Sequence, residues 1–194
     1  MNINEHKIVN GIKYFVKHTH NVGRTKLFKL LYFWDFGHFK KYGMSITCYE
    51  YYTYPFGPVP ETLYNQILND TLPLLFKNEI TIIDVDIDDD YDDNYKKFKV
   101  CIKPKRKKID TSWFTPNEFN ILKEVADIFR DATARQMIEI THLHNSPFDQ
   151  TLKKKGLHQP IDYFIALDDE TTLDLEQAKE YFTLQKELCL NGRL

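Results

Sequence analysis

Side chains able to do chemistry gather in a few places along the 194-residue chain. In the acidic run from Asp84 to Asp93, the alternating Asp84, Asp86 and Asp88 could offer several oxygens to a divalent cation. A calcium loop of the EF-hand type also needs a central glycine and a closing glutamate at fixed spacing, and the run supplies neither. It reads as a solvated hairpin tip, or as an acidic surface suited to a basic partner. The run Lys103–Lys108 carries five cations in six residues, a local potential able to grip phosphates and release counterions. Pro104 keeps it out of a regular helix, and no aromatic is interleaved for base stacking. A solvated connector is the plainer reading, so nucleic acid is disfavoured as a partner.

His142 and His144 stand two apart, whereas metal ligands on one helix face must be three or four apart, and no cysteine lies at useful spacing. His142 reads instead as a helix-end histidine making a cap or core hydrogen bond. His38 takes the same reading, with Asp35 three residues earlier as its candidate partner. No G-x-S-x-G, phosphate-binding loop or H-E-x-x-H signature occurs. Neither a catalytic set, nor a metal site, nor a cofactor is expected.

The stretch from Tyr49 to Phe56 is the feature best suited to recognition. If it is extended, alternate side chains face opposite ways, so its aromatics cannot all be buried in one layer. Tyr49, Tyr51, Tyr52, Tyr54 and Phe56 are therefore the candidate partner-binding residues, some of them meeting solvent or a second protein.

Helices must position these groups. Ile8, Val9, Ile12, Phe15 and Val16 recur at helical spacing and end near His18–Gly23. A second helix from about Arg24 to Tyr42 carries the stripe Leu27, Leu30, Leu31 and Trp34, with Gly43 as a left-handed cap, and reads as the spine of the core. The prolines and glycine of Pro55–Pro60 are expected to forbid regular structure and force a tight connection, Pro60 opening a third helix through Leu63, Tyr64, Ile67 and Leu68. A β-hairpin spans about 79–103, its strands at Thr81–Ile83 and Phe98–Ile102. Thr115–Glu118 and Thr133–Gln136 are capping boxes that open two further helices, the second stopped at Asn145-Ser146-Pro147. A last helix runs from about Thr172 to Leu190. The fold class is mainly α with a small β-hairpin insertion (α+β), a helical unit predicted to be one domain over 1–194.

The net charge of −2 gives no global pull toward polyanions. The start of the chain lacks a basic region followed by an apolar run, and no stretch reaches the ~18 apolar residues of a membrane span. Cys48, Cys101 and Cys189 lie far apart, with no C-x-x-C pair, so no disulfide framework is expected and a reducing cytoplasm fits best.

Three stretches together resemble the Panacea domain, the SocA-like antitoxin family also known from phage-associated proteins. They are Lys26-Leu27-Phe28-Lys29-Leu30-Leu31-Tyr32 with His38 and Tyr42-Gly43, then Phe56-Gly57-Pro58-Val59-Pro60, then Thr115 to Phe148. The family pattern is a K-L-x-K-L-L-Y helix ending in Y-G, a G-P-V turn, and later a T-H helix end with a Pro-Trp pair. Here Phe148 replaces that tryptophan, and Gly37 stands where a bulky aromatic is common. The resemblance covers roughly 8–150, leaving 151–194 as an extension. It implies structural roles for Lys26, Leu30, Leu31, Tyr32, His38, Gly57, Pro58, Val59, His142 and Pro147. It also implies an antitoxin that neutralises a cognate toxin by direct protein–protein binding. The alternatives are a protease adaptor that delivers its partner for degradation, and a nucleic-acid-associated regulator using Lys103–Lys108. The oligomeric state, including a homo-oligomer, is left open.

Overall fold

The computed structural model describes residues 2–169, 171 and 173–190, apart from 85–97 and 103–107. The chain runs α1 (Ile3–His18), α2 (Arg24–Tyr42), β1 (Tyr51–Tyr54), β2 (Gly57–Pro60), α3 (Glu61–Leu68) and α4 (Leu74–Glu79). It continues with β3 (Ile80–Asp84), β4 (Phe98–Ile102), α5 (Pro116–Ile128), α6 (Ala134–Thr141), α7 (Pro147–Lys155) and α8 (Leu175–Leu190). Two short 3-10 turns lie at Thr111–Trp113 and Tyr163–Ala166. The mainly helical reading stands, and most of the acidic tip and the basic run lie outside the described residues.

The spine is α2. Leu27, Leu30, Leu31, Trp34 and Phe39 are shut from water, and so are side chains around the rest of its girth. Each large apolar side chain buried in this way contributes roughly 1.5–3 kcal/mol relative to leaving it exposed. Gly43 ends the helix at φ 71°, the left-handed region in which glycine carries no penalty, and its N–H closes onto Phe39 O. The indole of Trp34 lies edge-on to Phe15 and Phe114, so α1 and the segment before α5 meet on the same ring. Both capping boxes form with the expected reciprocal bonds, at Thr115/Glu118 and Thr133/Gln136.

Local rules fell short at three points. Gly57–Pro60 is not irregular: it is a strand paired antiparallel with β1, Tyr54 opposite Gly57 and Tyr51 opposite Pro60. The prolines alternate with Gly57 and Val59, so the residues lacking an N–H fall on the outward side of an edge strand, where no ladder bond is lost. Asn145-Ser146-Pro147 does not stop α6, which already ends at Thr141 with His142 at its cap; it starts α7, with Ser146 Oγ accepting from Asp149 N and Pro147 in the first turn. Third, the expectation of unbridged cysteines is corrected, because Cys48 and Cys189 are joined by a disulfide across 141 residues of sequence. The fold brings their Cα atoms to 6.8 Å, which no spacing rule could foresee. Cys101 lies on β4.

No helix among the described residues is long and apolar enough to cross a membrane.

Candidate partner-binding site

The β1–β2 hairpin is clamped on three sides. Its outer strand is met by α2, where the Lys29 ammonium donates to Pro58 O at 3.0 Å. Burial, and then the charge of Arg24, holds that amine well below the ordinary lysine range. Its other edge is covered by the chain after α7. There Thr53 N donates to Gln159 O, His158 N to Thr53 O and Ile161 N to Tyr51 O, with Tyr52 bridged to Pro160. Underneath, Gly57 sits at φ 96° so close to its neighbours that an added Cβ would lie 2.7 Å from both Lys29 Cε and Thr141 Oγ1. Only glycine fits there.

The alternation along β1 sorts the tyrosines. Tyr51 and Thr53 point inward and are fully buried, while Tyr52 and Tyr54 are only half-buried. Tyr51 is thus a core residue: its hydroxyl donates to Asp35 Oδ2 at 2.7 Å, beyond the reach of any partner. Tyr49 is half-buried on the approach to the strand, and burial pushes its hydroxyl above the phenol range. Tyr54 donates to Glu61 at 2.9 Å and lies edge-on to His158 and Tyr64, which fixes its ring in place. With Phe56, half-exposed in the turn, it borders a narrow apolar crevice of about 30 Å³ that reaches Phe28 and Val59. That is more than the ~10–15 Å³ a water needs and far below the ~150 Å³ that admits benzene, so the tip of one small aliphatic side chain fits.

Asp35 organises the opposite end of α2. Its carboxylate accepts from Ile46 N at 2.7 Å, Thr47 N at 2.8 Å, the Thr47 hydroxyl at 2.5 Å and Tyr51. Burial raises this carboxyl above the usual range, and the hydrogen bonds from Thr47, Tyr51 and Ile46 oppose the shift. Asp35 is not the partner of His38. The Nδ1–H of His38 donates to Met44 O at 2.7 Å, and burial lowers the imidazole below its ordinary value. His142 does form a helix-end bond, its Nδ1–H donating to Ile138 O at 2.8 Å with the ring edge-on to Phe148. Among the described residues, no three His, Cys, Asp or Glu side chains gather as a metal-binding group.

The remaining motif positions are also internal. The Lys26 ammonium donates to Arg130 O at 3.1 Å and Ala132 O at 2.8 Å, holding the turn between α5 and α6. Leu30, Leu31 and Tyr32 are buried on α2, and Val59 is buried on β2. This arrangement coincides with a family match: the model of the SocA-like antitoxin, Panacea domain, covers residues 27–147, well over half of the chain. The chain belongs to the SocA-like antitoxin family. No curated protein and no solved structure matches it. The Panacea segment contains α2 from Leu27 onward, both hairpins and the helices through α6, while α1, α7 and α8 fall almost wholly outside it. The motif lysines hold backbone carbonyls, so α2 is joined to the hairpin and to the turn after α5 by a pair of buried lysine amines.

The sequence reading missed Asp35 as a hub and Lys29 as a clamp. Both stand on a helix buried over most of its girth, and an ionisable residue set among large apolar neighbours on such a helix was the available signal.

Proposed function

We propose that the protein is an antitoxin that neutralises a cognate toxin by direct binding, with Tyr52, Tyr54 and Phe56 at the contact. Membership of the SocA-like family carries this reading. The hairpin adds a physical reason: its half-exposed aromatics are already held by Glu50, Glu61 and His158, so little rotamer freedom is left to lose on binding. Rigid amphipathic rings of this kind are the side chains that dominate protein interfaces. Tyr51 has no part in the contact, since its face is the core. The function is exercised by binding, with no bond made or broken in a substrate.

Co-expression with the products of the neighbouring genes tests this. Growth arrest by one of them should be relieved by the intact protein, and Tyr54→Ala with Phe56→Ala should weaken the complex about tenfold or more. Arrest that persists for every neighbour in the presence of this protein defeats the reading. A shortened half-life of the relieved partner in cells would mark a protease adaptor; an unchanged half-life marks simple occlusion.

A further inference from the structure

The last helix is attached in a manner unlike the rest of the molecule. Positions 178, 182, 185 and 189 fall on one stripe of α8, and this stripe meets the C-terminal end of α2. Ala178 and Gln185 are buried in it, Ala178 lying so near Gly43 that an added Cβ would be 3.1 Å from Ala178 Cα. Phe182 is half-buried against Phe39, Tyr163 and Phe164. Meanwhile Leu175 and Leu184 are exposed, and Tyr181 is partly exposed with its Cδ2 3.3 Å from where a Cβ on Gly43 would lie. Phe182, the edge of Tyr181 and one alanine therefore supply most of the apolar attachment of sixteen residues.

The centre of the stripe is polar. Gln185 Oε1 accepts from Ser45 N at 2.9 Å, and its Nε2 donates to Ser45 O at 2.5 Å. Such a paired amide fixes where the helix sits while adding little to how firmly it sits, because water offers the same bonds when the helix lifts. One turn further along, the Cys48–Cys189 disulfide joins the far end of α8 to the segment between α2 and β1. Cys48 and Cys189 are both half-buried, within reach of a small thiol.

We propose that Cys48 and Cys189 form a thiol–disulfide exchange site whose oxidation state sets whether α8 is fastened over the aromatic end of α2. The reductant is a dithiol or a pair of low-molecular-weight thiols. Its thiolate attacks one sulfur of the cystine, the Cys48–Cys189 bond breaks, and the leaving thiolate takes up a proton. A second thiol from the reductant resolves the mixed disulfide. Two electrons have then moved to the protein, which holds two thiols, and the reductant has become a disulfide. With the link gone, α8 is left with Phe182, the edge of Tyr181, Ala178 and the Gln185 clasp, and lifting it uncovers Phe39, Tyr163 and Phe164. The proposal is independent of the partner reading and is tested without a partner.

The experiment uses the full-length protein, oxidised in air or treated with dithiothreitol, followed by alkylation mapping and hydrogen exchange read by mass spectrometry. Cys48 and Cys189 should become alkylatable only after reduction, and exchange in peptides from 175–190 should then accelerate about tenfold or more, with α2 peptides unchanged. Cys189→Ser, a change near the end of the last helix, should exchange like the reduced protein with or without dithiothreitol. Alkylation of Cys48 and Cys189 in the air-oxidised protein would overturn the proposal, as would identical α8 exchange in the two redox states. Acceleration spread equally over α2 would also overturn it, because the link would then hold the whole fold and not the helix.

Discussion

At its N-terminal end, α2 is tied to its neighbours by buried lysine amines on backbone carbonyls, Lys26 on Arg130 and Ala132 and Lys29 on Pro58; at its C-terminal end, α8 lies across it on two rings, one amide and a disulfide. Lys29 lies within the Panacea segment and Lys26 directly before it, whereas α8 lies beyond it. The contrast teaches how a shared scaffold and an added element are held. A buried charge that loses its acceptor leaves an uncompensated desolvation cost, so the first arrangement resists change. The second is modest in apolar area and can be released without unfolding the rest.

Several changes would break or sharpen that contrast. Asp35→Ala should have the largest effect, a loss of roughly 3 kcal/mol or more in urea unfolding, because Ile46 N, Thr47 and Tyr51 all lose their buried acceptor. Gly57→Ala should cost about 2–3 kcal/mol by the same measurement, through positive φ and the clash with Lys29 and Thr141. Lys26→Met, which keeps most of the volume and deletes the bonds to the turn after α5, should cost about 1–2 kcal/mol. Gln185→Ala should cost about 1 kcal/mol or less, with faster hydrogen exchange confined to α8. If Gln185→Ala proves more damaging than Lys26→Met, the C-terminal end of α2 is held at least as firmly as the N-terminal end and the contrast falls.

The smallest effect expected is a slope with pH. Burial lowers His38 in the folded protein, so between its folded value and the ordinary value of about 6.5 the unfolded chain binds more protons. Stability from this group is present above about pH 6.5 and is lost as the pH falls through that window. His38→Gln should flatten the acid side of the stability profile between pH 7 and 5, measured by urea unfolding at each pH. An equally steep loss in the variant would assign the slope to other groups.

What was legible follows the range of the forces involved. The capping boxes at Thr115 and Thr133, the Gly43 cap and the α2 stripe depend on residues within a few positions of one another, and each formed where the pattern placed it. The strands at Ile80–Asp84 and Phe98–Ile102 were announced by their β-branched and aromatic content. The strand at Gly57–Pro60 was hidden, since its two prolines are harmful in a central strand and harmless on an edge, and which edge a strand occupies is not a local property. At the candidate site, the period-two argument established that the tyrosines from 49 to 54 had to divide between two faces. It did not say which face was the core, and Tyr51 went inward because Asp35 was there to receive its hydroxyl.

By itself the sequence determined the helical class, the caps, the central role of α2 and the likeness to the SocA-like family, because these rest on side chains near in the chain and on a repeated order of short motifs. Only the tertiary structure decided that Lys29 meets Pro58, that Asp35 gathers Ile46, Thr47 and Tyr51, and that Cys48 reaches Cys189. Those meetings depend on how whole elements pack, and close packing brings together groups that no spacing along the chain records.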